Sequence, residues 1–94
     1  MTKTDISVIC PLYRGQEYID AILEMLYRNQ EKLAEAGKQK VIEVIFVNDY
    51  PQEKISLPQS QREDVRLKLL EPGRNQGIHR SLVLGVEQAE GEYI

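Results

Sequence analysis

Asp49 is the residue most clearly placed for chemistry. It closes the stretch Val41-Ile42-Glu43-Val44-Ile45-Phe46-Val47-Asn48-Asp49, where a nearly unbroken apolar run gives way to two polar side chains. The apolar part reads as a strand buried on both faces, as in the middle of a parallel sheet. Ligands of open α/β sheets sit outside the carboxyl ends of such strands. A binding carboxylate is therefore expected at Asp49. Asn-Asp-Tyr-Pro is also good turn chemistry, and on these residues alone both readings stay open. A second, shorter apolar run, Ile6 to Cys10, leads into Pro11-Leu12-Tyr13. If the two strands are neighbours, their carboxyl ends bring Tyr13 close to Asp49. An aromatic ring beside a carboxylate can hold a nucleobase: the ring stacks, and the carboxylate accepts a hydrogen bond from a ring N–H. The alternative for Tyr13 is a loop aromatic packed on the first helix.

Arg74-Asn75-Gln76-Gly77 stands just before a helical segment. Gly77 permits close backbone approach, helix N-terminal amides favour anions, and Arg74 could add a fixed charge for a phosphate. The plain alternative is a glycine turn with a solvated arginine. The segment lacks the Gly-Lys-Ser/Thr ending of a Walker loop and the three spaced glycines of a dinucleotide fingerprint. His79 has no second histidine or nearby cysteine to make a zinc set, and no nucleophile-elbow serine to serve. It reads as a first-turn helix residue, with Arg80 beside it an anion contact or a surface charge. Glu17 and Asp20 suit the dipole of the first helix. Cys10 is the one cysteine, so no internal disulfide or cysteine metal cluster forms, and its apolar surroundings make it a small core residue.

The elements that must position these residues follow from periodicity. Ile6 to Cys10 reads as a strand stopped by Pro11. Tyr18, Ile19, Ile22, Leu23, Leu26 and Leu33 recur at helical spacing, with Glu24, Arg28, Glu31, Lys32 and Glu35 opposite and Gly37 as a stop. The Val41–Val47 strand comes next. Residues 50–64 are polar, carry Pro51 and Pro58, and read as a long loop with at most a short helical turn. Val65-Arg66-Leu67-Lys68-Leu69 alternates, as an edge strand with one wet face does. Ile78, Leu82, Gly85, Val86 and Ala89 mark the inner face of a second helix ended by Gly91. Glu92-Tyr93-Ile94 starts another strand. The order β-α-β-loop-β-α-β implies the α/β class: a Rossmann-like parallel sheet with covering helices and right-handed crossovers. Ninety-four residues, 41% apolar and 29% charged, suit a single small domain of modest stability. A net charge of −3 with mixed signs and no basic tract argues against a nucleic-acid partner. No stretch approaches the length of a membrane span, and the first residues are not expected to be a signal peptide.

Taken together, four segments resemble the N-terminal, nucleotide-binding half of the family 2 glycosyltransferases, which have the GT-A fold. They are Ile6 to Tyr13, Glu43 to Asp49, Asn75-Gln76-Gly77 and Gly85 to Ile94. The likeness covers nearly the whole chain, so residues 1–94 are expected to form one partial GT-A domain. By resemblance, Pro11 and Tyr13 line the base pocket, Asp49 matches the second acid of the usual Asp-Asp-Gly-Ser run and contacts the base, and Asn75 and Gly77 match an Asn-x-Gly turn near the nucleotide. Two departures stand out. Asn48 replaces the first aspartate and removes a charge, and Tyr50-Pro51 replaces Gly-Ser and stiffens the loop. The resemblance implies a nucleotide-diphosphate sugar donor (a UDP- or dTDP-sugar), a hydroxyl acceptor, and cell-surface polysaccharide synthesis. It also implies Mg2+ or Mn2+ in the full-length enzyme. The implied location is cytoplasmic, with membrane association an option for the full-length protein. The family's Asp-x-Asp metal motif and its general base have no counterpart in these residues. The expectation is therefore that this polypeptide is part of a longer enzyme and does not itself transfer sugar.

Two other readings compete. One is a non-catalytic nucleotide-binding or regulatory α/β module, separated from the enzyme by whether an Asp-x-Asp follows Ile94. The other is an interaction domain that self-associates through an open sheet edge, which light scattering would reveal.

Overall fold

A computed structural model describes residues 4–36 and 39–93. Gly37, the expected helix stop, and Ile94 lie outside them, as does the side chain of Leu33. Strand β1 (Thr4–Leu12) leads through a 3-10 turn (Gln16–Tyr18) into helix α1 (Ile19–Ala36). Strands β2 (Gln39–Asn48) and β3 (Arg66–Leu70), helix α2 (Gly77–Gln88) and strand β4 (Glu92–Tyr93) follow. The four strands lie in the order β3-β2-β1-β4, every pair parallel. The α/β class and the parallel sheet are as expected, and β3 occupies an edge.

Strand β2 is central, and Val44, Ile45, Phe46 and Val47 are wholly buried. Alternation sends Val44 and Phe46 to the α1 side, where they meet Ile6, Leu12, Ile19 and Leu23 in one apolar cluster. Ile9, Ile45 and Val47 face the other way, under α2. Gln30 fastens α1 to the sheet: its amide donates to Val41 O at 2.9 Å, and its Oε1 accepts from Val41 N–H at 2.8 Å.

Several details depart from the sequence reading. Pro11 does not stop β1, which runs on to Leu12 in register with β2. The register continues unbroken through Pro11 opposite Val47, so the missing N–H does not interrupt the pairing with β2. Tyr18 is exposed rather than on the core stripe, and Tyr27 packs against the core instead. The 3-10 turn before α1 winds three residues per turn, so extending the α-helical stripe back to Tyr18 loses phase. On α2 the face is rotated: Ser81 and Gly85 are buried, while Ile78 and Leu82 are exposed. The sheet below already carries Ile9 and Ile45, so small residues must meet it. The helix ends at Gln88, not Gly91. Lys68 does not face water freely but pairs with the buried Glu43.

The segment between β2 and β3 holds a turn at Tyr50–Glu53 and no helix. It is tied down by side chains. Gln16 donates from Nε2 to Ser56 O at 3.0 Å and accepts from Ser56 N–H at 2.6 Å. Asn48 Nδ2 donates to Glu53 O at 2.9 Å. Ile55 and Val65 are buried, anchoring both ends. No described helix is long and apolar enough to cross a membrane.

Candidate functional site

β1 and β2 end side by side, with Leu12 opposite Asn48. The Asp49 N–H then donates to Leu12 O at 2.7 Å, extending the ladder by one bond. Tyr13 and Asp49 therefore leave the sheet at the same carboxyl-end rim. Pro11 lies half-buried one residue inside it.

Asp49 is 5% exposed. Its Oδ1 accepts from Gln76 N–H at 2.7 Å and from Gly77 N–H at 3.1 Å, and its Oδ2 accepts from Gly77 N–H at 3.1 Å. Helix α2 has no side-chain cap from Gln76, its own N-cap residue. A carboxylate from across the rim takes that place and meets the positive end of the helix dipole. Gly77 turns with φ +85°, a conformation side chains rarely adopt, and a weak 3.3 Å bond from its N–H to Asn75 Oδ1 completes the turn. Asp49, Asn75 and Gly77 are thus joined by hydrogen bonds, a meeting that the sequence analysis did not foresee. Asn48 is buried, and its Oδ1 accepts from Tyr50 N–H at 3.0 Å, holding the turn after β2.

Tyr13 projects from the rim and is more than half exposed. Its ring meets Tyr50 edge to face, with centroids 5.0 Å apart at 73°. Arg74 is exposed and lines an open cleft with Leu70, Glu71, Pro72, Gln76 and Leu84. His79, Arg80, Glu17 and Asp20 are all exposed. Burial pushes the Cys10 thiol up, which suits an inert core residue. A separate cleft of about 450 Å³ opens between α1 and the loop near Pro58. Its charged groups, Asp20 and Glu24, are acidic and would repel a phosphate.

Two groups escaped the sequence reading. One is the pair Arg14 and Tyr50, which completes an aromatic–cation cluster with Tyr13. The other is Glu43, wholly buried within β2. Its Oε2 accepts from Ser7 Oγ–H at 2.6 Å and from Glu90 N–H at 2.7 Å, and Lys68 Nζ lies 2.7 Å from Oε1. Burial opposes ionisation of Glu43, but the Glu90 amide, Lys68 and Ser7 outweigh it and hold its carboxyl below the usual range. A lone acid inside an apolar run signals that a partner must be supplied, and the alternating Lys68 of the next strand was that signal.

Among the described residues no group of three or more His, Cys, Asp or Glu side chains could hold a metal. The rim's own acid, Asp49, spends three acceptor positions on amides. Among the described residues a divalent cation of the kind implied for the full-length enzyme finds no ligand set. No curated protein and no solved structure matches the chain. The model of the family described as Glycosyl transferase family 2 matches residues 7–94, which takes in both strand ends of the rim and the Asn75–Gly77 turn. With that match over most of its length, the chain belongs to glycosyl transferase family 2.

Proposed function

We propose that the carboxyl-end rim of β1 and β2 binds the nucleotide of a nucleotide-diphosphate sugar, as the donor-binding part of an enzyme that moves the sugar to a hydroxyl acceptor. The observation that carries this is the convergence of Tyr13, Asp49 and the Asn75–Gly77 turn on one edge of the sheet. Tyr13 offers an exposed ring for a base. Two N–H groups, that of Gly77 shared between both oxygens, leave a lone-pair direction on Asp49 Oδ2, which can accept from a base N–H. Pro11 floors the pocket, Gly77 lets the ligand approach the backbone, and Arg74 guards the outer approach to the turn. UDP- or dTDP-sugars are the donor class, with Mg2+ or Mn2+ required by the full-length enzyme. Those choices, and an acceptor on cell-surface polysaccharide, rest on family likeness.

Calorimetric titration of the chain with UDP and dTDP tests the reading. Saturable binding is expected, and Tyr13→Ala should weaken it by about tenfold or more through lost stacking. Absence of saturable binding, or a Tyr13→Ala variant that binds like the wild type, would overturn it.

A further inference from the structure

Immediately after β1 the chain turns through Arg14 with φ 55°. Among the described residues no other non-glycine residue has a positive φ. That conformation is unfavourable for any side chain with a Cβ, so something must hold it. The turn sets the guanidinium against two rings. Arg14 Cζ lies 4.8 Å from the Tyr50 centroid and 5.9 Å from that of Tyr13. Its Nη2 donates to the Tyr50 hydroxyl at 3.1 Å. Among the described residues no carboxylate forms an ion pair with Arg14. A guanidinium carries five N–H donors, and one hydrogen bond leaves most of the fork unused.

Topology says why a free cation at this place matters. The path from β1 through α1 leads to β2 on one side, while the path from β3 through α2 returns to β4 on the other. The order therefore reverses beside β1, and ligands of open parallel sheets lie outside the strand ends at that switch point. Arg14 directly follows β1. Arg74 follows β3, the strand at the opposite edge. The Gln76 and Gly77 amides at the start of α2 are already taken by Asp49.

We propose that Arg14 is the positioning residue for the diphosphate, its guanidinium pre-set by the rings of Tyr13 and Tyr50. This rests on the nucleotide reading above. A planar fork matches phosphate oxygens bidentately. Cation–π contact with the Tyr50 ring, with the Tyr13 ring at the limit of such contact, restrains the side chain before the ligand arrives and so lowers the freedom lost on binding. Tyr50 thereby gains a role at a position where the family pattern has glycine.

Titration of UDP and dTDP beside uridine and thymidine tests the assignment, on the wild type, Arg14→Gln, Arg14→Lys and Tyr50→Phe, with thermal melts as the check on folding. Wild type should prefer the diphosphate to its nucleoside. Arg14→Gln should weaken diphosphate binding about tenfold, the scale of one charge-assisted contact, and leave nucleoside binding unchanged. Arg14→Lys should retain part of the preference, and Tyr50→Phe should reduce it by loosening the fork. Should Arg14→Gln fail to fold, the wild type decides by salt: added salt must weaken the diphosphate far more than the nucleoside. Wild type that binds neither class overturns the nucleotide reading and this assignment with it. Wild type that binds both, with the diphosphate preference intact in Arg14→Gln or insensitive to salt, overturns the assignment alone.

Discussion

Asp49 holds the start of α2 with the same carboxylate that faces the rim, so its removal should be felt in stability before any ligand is added. Asp49→Asn keeps an acceptor but loses the charge at the helix N-terminus, and should cost about 1 kcal/mol. Asp49→Ala loses the cap as well, and should cost about 2 kcal/mol. Urea midpoints for the two variants check the ranking, and equal losses would mean that the charge contributes nothing. The address of Asp49 was legible because an apolar run ended there. Its partners were not, since Gln76 and Gly77 lie 27 and 28 residues further along and nothing local encodes the meeting. Ser81 makes the opposite case. It is fully buried in α2 and its hydroxyl has no hydrogen-bond partner. Ser81→Ala removes an unsatisfied polar group from a site that accepts a small side chain, and should stabilise the chain by about 1 kcal/mol. A melting temperature that falls would show that the hydroxyl is satisfied after all.

At the scale of the elements, α2 is seated by what it lacks. A Cβ on Gly85 would lie 2.4 Å from Ile9 Cγ2, and one on Gly91 would lie 2.6 Å from the backbone oxygen of Asp5. Alanine at position 85 gains about 1 kcal/mol of helix propensity. It forces overpacking worth about 1–3 kcal/mol, so the net effect is a loss. Ile9→Ala removes the opposing methyl, and the double variant should then lose less than the sum of the single losses, a coupling readable in a double-mutant cycle. Gly91→Ala meets backbone that cannot step aside and should be the worse change, with no side-chain rescue. These close approaches explain what the sequence hid. Periodicity alone put the large residues Ile78 and Leu82 on the inner face, whereas the face that is buried carries Ser81 and Gly85, the latter directly against Ile9. The strands, by contrast, were legible, because burial on both faces leaves a continuous apolar run and an edge leaves alternation. Residues 49–65 were opaque for a third reason. Gln16, Tyr27 and Gln30 hold them from distant parts of the chain and Asn48 from its own end of the segment, and such bonds have no period.

Across the whole molecule, one carboxylate joins the sheet. Glu43 in β2 takes Ser7 from β1, Lys68 from β3 and the Glu90 amide at the approach to β4, while Gly91 N–H donates to Ser7 Oγ at 3.0 Å. Breaking a buried set of this kind by Glu43→Gln should cost about 3 kcal/mol near neutral pH. The same contacts set a pH dependence with a definite sign. The carboxyls of Glu43 and Asp64 are both held below their ordinary range, the first against the pull of burial and the second chiefly by its bonds from Arg62. A carboxyl whose folded value lies below its unfolded one binds protons first in the unfolded chain. Its stabilisation is then complete above the unfolded value of about 4 and is lost as pH falls through the folded one. Urea midpoints measured from neutral pH downward should stay flat to the edge of the carboxylate range and then drop. The drop should be shallower in Glu43→Gln, because the variant has already given up the part of that stabilisation that acid would remove from the wild type. Parallel curves would mean that the strands are held together without Glu43, and that its burial is tolerated rather than used.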